Sequence, residues 1–361
     1  MDTKTLAERH RNTIRSEETF EEVSAKVERL VYPTILNAIE PRFIDSYPEI
    51  REMVTDYTKR KGRYIRPKLL WIFAKMFGAP DSAILVPASA IQLSEDFVLQ
   101  IDDMTDGTEV RRGKPAFHKV YGFNNTFITP QLLISSMWNM LHEYAMNNGA
   151  IGISVYKKVI EFSDITFIGQ ALENMFKPRQ TSAYPKTYIK ALKGIGEATY
   201  DDYFEIVTKK TAAYTIYGPA IIGAMIGGAS KKQLELIERI GTKFGIAFQI
   251  NDDIEDYLYD IKEGQPTIVT IHTYASCTDD EKRLMARVFS KLPDEKSTGD
   301  IANISSLVDK YGSLDYAKAQ FHTNMSEGLK AYQGNSFELP DNEYTMMVFK
   351  LFSDFVGSQK A

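Results

Sequence analysis

Residues 82–107, SAILVPASAIQLSEDFVLQIDDMTDG, decide the fold. Ile91, Leu93, Phe97, Val98 and Ile101 recur at helical rather than alternating spacing, so the stretch predicts a long apolar helix. Asp81 or Ser82 is the expected cap, and Gly107 is the expected residue just past the end. That helix closes on Asp102, Asp103 and Asp106, with Asp102 and Asp106 on one face. Its macrodipole is already negative there, so carboxylates cost stability unless a cation compensates. Hard oxygen ligands that leave room for water and phosphate suit Mg2+; a solvated acidic helix end is the plain alternative. Arg111-Arg112-Gly113-Lys114-Pro115 follows at once, in a stretch read as a loop. Paired arginines beside metal-binding carboxylates suggest a phosphorylated ligand, although they could simply neutralise the aspartates.

A second cluster of the same form ends residues 244–256, FGIAFQINDDIED. Ser230 with Gln233 forms a capping-box pattern that opens this helix. Asp252 and Asp256 share a face, Gln249 lies one turn earlier, and small Gly245 and Ala247 permit close helix approach. Facing the first helix, this one would complete a clamp in which a diphosphate is bridged to both walls. Asp201-Asp202 after Thr199, and Asp279-Asp280 after Thr278, also look acidic. Both open helices, where acids complement the dipole, and are read as structural.

The rest of the chain bounds these readings. It has 361 residues, is 43% hydrophobic and carries a net charge of -5, which supports a large core and argues against nucleic acid as a partner. One cysteine, Cys277, excludes an intrachain disulfide and a cysteine metal site, and fits a reducing, cytoplasmic setting. The charged N-terminus has no signal-peptide core. Residues 216–229 are too short and too broken by Gly and Pro to span a bilayer. Period-3.6 patterning, punctuated by Gly and Pro turns, predicts one all-α domain over residues 1–361, built as an elaborated bundle, with the first fifteen or so residues and the last few frayed. The histidines, His10, His118, His142, His272 and His322, show no metal spacing, and His118 is read as a loop or packing residue.

These residues resemble the trans-prenyl diphosphate synthases, the polyprenyl synthetase family. DDMTDGTEVRRGKP is similar to the family's first aspartate-rich motif and FQINDDIED to its second. Gly62-Arg63-Tyr64-Ile65-Arg66-Pro67 resembles its Gly-Lys-Arg-x-Arg-Pro segment, Gly169-Gln170-Ala171-Leu172-Glu173 its Gly-Gln-x-x-Asp, and Lys210-Thr211 its Lys-Thr pair, all in order. The resemblance implies an all-α fold around a deep central cavity, a homodimer, and Mg2+-dependent condensation of isopentenyl diphosphate with an allylic diphosphate. It implies that Asp102, Asp103, Asp106, Asp252, Asp253 and Asp256 hold Mg2+, three per active site, on the allylic diphosphate. Arg111 would contact that diphosphate; Arg63, Arg66 and Arg112 would bind isopentenyl diphosphate. Lys210, Thr211 and Gln249 would flank the reacting carbons and leaving group, with Gln170 supporting them.

Several positions depart from the family pattern. Arg63 stands for a lysine, Tyr64 for an arginine and Glu173 for an aspartate. Glu95 stands where His or Gln is usual, and is expected to pair with a cation such as Arg63 or Arg66. The loop after Asp256 is shortened and lacks its lysine, for which Lys262 is the candidate substitute. Phe97 lies five residues before Asp102, about 7.5 Å deeper along a helix. With Val98 and Ser94 beside it, the resemblance implies that Phe97 acts as a floor limiting the product to geranylgeranyl rather than farnesyl diphosphate; plain core packing is the alternative. Competing readings are a class I terpene cyclase, a regulatory subunit of a heteromeric synthase, and a di-metal carboxylate bundle. The last wants Glu-x-x-His pairs, and none is suitably placed.

Overall fold

Helical periodicity becomes helix almost everywhere in the computed structural model, which describes residues 18–358 except 44–46, 178, 181–187 and 190–192. The expected fraying at the ends, and His10, lie outside the described residues. In chain order the longer helices are α1 (Phe20–Ile39), α2 (Pro48–Arg60), α3 (Ile65–Met76), α4 (Asp81–Asp106), α5 (Phe117–Asn147) and α6 (Gly149–Asn174). Then come α7 (Tyr200–Val207), a π-helical segment (Thr208–Tyr217), α8 (Gly218–Ile226), α9 (Lys231–Glu255), α10 (Tyr257–Glu263) and α11 (Ile268–Ser276). The chain finishes with α12 (Asp279–Phe289), α13 (Thr298–Lys310), α14 (Ser313–Asn335) and α15 (Glu343–Ser358). One apolar core runs from Val23 of α1 to Val348 of α15. α4 packs on α1, α3 and α5, α9 packs on α14 and the π segment, and the π segment packs on α6, which places both acidic helices in the interior of the bundle.

The caps follow the side chains. Ser230 and Gln233 form the expected capping box on α9, Thr278 and Glu281 form one on α12, and Thr199 with Asp202 does the same on α7. The acids read as structural are therefore helix starts. Gly107 ends α4 with φ 69°, donating its N–H to Asp103 O. At the other end Pro80, not Asp81 or Ser82, is the cap residue, and no side chain caps the helix; Asp81 instead pairs with Lys26 (2.7 Å) and Lys75 (3.1 Å). α4 is also long and apolar enough to cross a bilayer, but 61% of its apolar window is buried within this chain.

The Arg111–Lys114 stretch is a hairpin rather than an open loop. β1 (Val110–Arg111) pairs antiparallel with β2 (Lys114–Pro115), with Arg111 opposite Lys114. Arg112 (φ 53°) and Gly113 (φ 73°) form the two-residue turn, both in the left-handed region that such a tight hairpin requires. Among the described residues the only other strands are the pair β3 (Arg179–Gln180) and β4 (Tyr188–Ile189).

Gly245 shows why α9 can reach the π segment. A Cβ there would lie 2.4 Å from Ala212 Cβ and 2.5 Å from its Cα. Replacing Gly245 by Ala forces the two elements apart, and is expected to destabilise the fold by about 1–3 kcal/mol. A chemical-denaturation midpoint that does not move would show that the contact gives way freely.

Candidate active site

The two acidic clusters are built alike. In each, the second aspartate is buried and held by a tyrosine from another helix. Tyr57 of α2 donates to Asp103 Oδ2 at 2.6 Å, and Tyr203 of α7 donates to Asp253 Oδ2 at 2.6 Å. Asp103 also accepts Arg111 Nε at 2.8 and 3.1 Å and a third bond from Arg111 Nη2, so that guanidinium grips it in fork fashion. Asp253 accepts Gln249 Nε2 at 2.9 Å. Burial pushes Asp253 up to about 7 despite those bonds. Asp252 is raised as well, by lost solvation and then by Asp256. Asp260 of α10 is driven well above the usual carboxylate range by burial and by Asp253. This wall is short of positive charge.

The first wall has its own cations. Lys177, 5% exposed, lies 3.2 Å from Asp106 Oδ1 and 3.4 Å from Glu173 Oε2. Lys210 Nζ lies 2.7 Å from Glu173 Oε2 and 3.7 Å from Asp102 Oδ1. Burial would raise Glu173, but the two lysines outweigh it and hold the carboxyl down to about 2. Glu173 also accepts Gln170 Nε2 (3.2 Å) and Gln265 Nε2 (2.9 Å). Asp106, mostly buried and near Asp102, is raised in spite of Lys177.

The π segment joins the walls. Lys210 reaches Asp102, while the adjacent Thr211 donates to Gln249 Oε1 at 2.6 Å. Gln249 then donates to Asp253 and, at 3.3 Å, to Asp252. A π-helical turn at this point is typical of functional sites, because it re-aims side chains that a regular helix would spread around its axis. On the far side Tyr259 of α10 donates to Asp106 O at 3.4 Å. The shortened loop after Asp256 is thus a short helix, ended at Gly264 with φ 75° and tied down by Lys296, which donates to Ile261 O (3.0 Å) and Lys262 O (2.6 Å). Lys262 itself is exposed.

Beside the first wall lies an arginine basin. Arg66 Nη1 is 3.1 Å from Glu95, and Arg112 reaches Glu95 (3.3 Å) and Asp96 (3.0 Å). Glu95 therefore pairs with Arg66, as expected, and with Arg112 rather than Arg63. Arg63 is exposed and close enough to Asp252 to oppose the rise in its pKa. Below the clamp is a narrow apolar pocket lined by Ser94, Phe97 and Val98 together with Ile91, Phe162 and Tyr214, among others.

Among the described residues no three His, Cys, Asp or Glu side chains converge as a ready-made metal cage. The donors nevertheless fit a hard divalent cation. Asp102 Oδ1 is buried without a hydrogen bond, and carboxylates spread over two walls leave positions for water and phosphate oxygens.

Tyr57, Asp96, Lys177, Tyr203 and Tyr214 escaped the sequence reading. Lys177 stands four residues after Glu173, an ion-pair spacing that could have flagged it. Tyr203 lies inside the acidic stretch read as structural, and Tyr57 carries no local signal.

The sequence signature of the polyprenyl synthetases matches residues 47–308. A geranylgeranyl diphosphate synthase of Sulfolobus acidocaldarius is 28% identical over 71% of this chain and 75% of its own. A geranylfarnesyl diphosphate synthase of Aeropyrum pernix is 27% identical over 73% and 80%. The solved decaprenyl diphosphate synthase of Rhodobacter capsulatus superposes with TM-score 0.79 at 21% identity, covering 94% of this chain and 98% of that one. Geranylgeranyl pyrophosphate synthetase of Pyrococcus horikoshii superposes with TM-score 0.73 at 24% identity, covering 92% and 98%.

Tyr203→Phe removes the hydroxyl that holds Asp253 and leaves a buried acceptor without its donor. It is expected to cost about 1–3 kcal/mol, read as a lowered thermal midpoint. An unchanged midpoint would mean that the hydroxyl contributes nothing to holding Asp253.

Proposed function

The chain belongs to the polyprenyl synthetase family, and from that premise we propose that it condenses isopentenyl diphosphate with an allylic diphosphate (dimethylallyl, geranyl or farnesyl) to a short all-trans prenyl diphosphate. The product proposed is geranylgeranyl diphosphate. The observation that carries this reading is the pairing of an apolar pocket with a polar rim of aspartates, lysines and arginines. A long hydrocarbon tail and a charged head find their surroundings side by side.

In this reading Asp102 and Asp106 from α4, and Asp252 and Asp256 from the end of α9, would hold Mg2+ at the allylic diphosphate site, for which three ions are proposed. Asp103 and Asp253 belong to the same set; their tyrosine bonds fix the direction in which each wall points. When bound, Mg2+ offsets the negative charge that grows on the departing diphosphate. Lys210, together with Arg111 and Lys177, adds fixed positive charge at the same place. The C1–O bond of the allylic substrate breaks and its electron pair leaves with the diphosphate. The isopentenyl double bond then forms the new bond to C1, and the proton lost from the adjacent carbon passes to the released diphosphate. Thr211 and Gln249, locked to each other, flank the reacting carbons, and Gln170 steadies Glu173 behind them. Arg63, Arg66 and Arg112 take the isopentenyl diphosphate, with Lys262 at the rim. The growing tail enters the cavity past Val98 and Ser94, and Phe97 limits its length.

The proposal extends to a homodimer in a reducing, cytoplasmic setting, with the whole chain as one domain. α5 exposes Phe123, Phe127 and Ile128, and α6 exposes Ile160, Phe167 and Ile168. Exposed apolar side chains on two helices that pack together are what a second copy would cover. A farnesyl product and a weakly active partner subunit are the alternative readings; the carboxylates in the arginine basin favour the second.

Purified protein with Mg2+, isopentenyl diphosphate and each allylic primer should yield twenty-carbon product. No product from any primer, with no partner chain restoring it, would sink the catalytic reading. Asp102→Ala and Asp252→Ala should each lower turnover roughly a thousandfold or more. Phe97→Ala should lengthen the main product, and an unchanged product profile would refute Phe97 as the floor.

A further inference from the structure

The arginine basin already contains anions. Arg66 and Arg112, the residues proposed above for the isopentenyl diphosphate, are matched by Glu95 and Asp96. The two acids differ in how they are held. The Asp96 side chain is 2% exposed, accepts Thr58 Oγ1 at 2.8 Å and pairs with Arg112 Nη1 at 3.0 Å. It is part of the floor and has no path outward. The Glu95 side chain is 13% exposed and bridges the two guanidinium groups, with Oε1 3.3 Å from Arg112 Nη2 and Oε2 3.1 Å from Arg66 Nη1. Its Oε2 makes no aligned hydrogen bond.

The arginines are pre-positioned independently of Glu95. Arg66 donates to Thr215 Oγ1 at 2.9 Å and stacks on Tyr214 at 4.0 Å from the ring centre. Arg112 donates to Tyr57 O at 2.8 Å. It also packs over Gly62, where a Cβ would come within 2.7 Å of Arg112 Nη2. Arg66 Nε is buried without an acceptor.

We propose that Glu95 is a specificity-determining positioning residue, an internal carboxylate that occupies the anion seat between Arg66 and Arg112 and must be displaced before a second diphosphate can bind. The inference rests on the reading of this basin as a diphosphate site. Its consequence is selectivity. A diphosphate carries more charge than inorganic phosphate and competes better with a tethered carboxylate, so the seat discriminates against inorganic phosphate. The carboxylate also weakens the affinity for isopentenyl diphosphate itself, because the two arginines are charge-balanced before the ligand arrives.

The test is calorimetric titration of isopentenyl diphosphate, and separately of inorganic phosphate, into the full chain in EDTA, so that the carboxylate walls hold no divalent cation. Glu95→Gln and Glu95→Ala should each tighten isopentenyl diphosphate at least about tenfold, as expected for removing a like charge from a partly buried site. Both should also bring inorganic phosphate into measurable range. Glu95→Asp, which keeps the charge, should stay close to the parent. In steady state with Mg2+, KM for isopentenyl diphosphate should fall in the neutral variants relative to KM for the allylic primer. Equal or weaker binding by both neutral variants would overturn the proposal. Absence of turnover by the parent protein would count against the synthase reading alone, since the titration reads the seat directly.

Discussion

Glu173 is the counterion around which the site is arranged. Its carboxylate, buried near the end of α6, gathers Lys177, Lys210, Gln170 and Gln265. The two lysines then extend to Asp106 and Asp102. Bringing like charges to the end of a helix that is already negative is unfavourable. Bringing two ammonium groups with them, Lys177 buried and Lys210 half-buried, is tolerable only because Glu173 satisfies both. The first wall thereby has lysines of its own before any ligand arrives. At the second, burial and mutual repulsion raise Asp252, Asp253 and Asp260. A divalent cation held there would supply positive charge that those carboxylates otherwise lack.

Much of this was legible. Helix starts and stops are local chemistry, so Gly107, Ser230 and Thr278 could be read directly, and the acids after Thr199 and Thr278 could be separated from the clamp by their place in the first turn. The pairing of Glu95 with an arginine followed from the cost of an isolated charge. What could not be read was long-range. Tyr57 meets Asp103 across 46 positions and Tyr203 meets Asp253 across 50. No spacing rule connects them. The hairpin at Arg111–Lys114 was missed because a two-residue turn with a non-glycine in the left-handed region is uncommon.

That turn has a physical reason. Arg112 departs from ordinary backbone geometry, at a cost of order 1–3 kcal/mol. Its guanidinium offsets this through bonds to Tyr57 O and Asp96. Arg60 clamps the hairpin from outside through Arg111 O and Pro115 O. Arg111 and Arg112, neighbours in sequence, are thus sent to different acids, Asp103 at the clamp and Asp96 in the basin.

The π-helical segment has a consequence for how such chains can change. Lys210, Thr211 and Tyr214 serve three neighbouring places, the first wall, the second wall and the cavity, from within Thr208–Tyr217. Removing one residue from the segment would restore a regular helix and shift the side chains within it out of their present positions relative to the flanking helices. The positions of these groups are therefore encoded in a count of residues as much as in their identity. Point substitutions can explore the chemistry of this site, but an insertion or deletion here disconnects it.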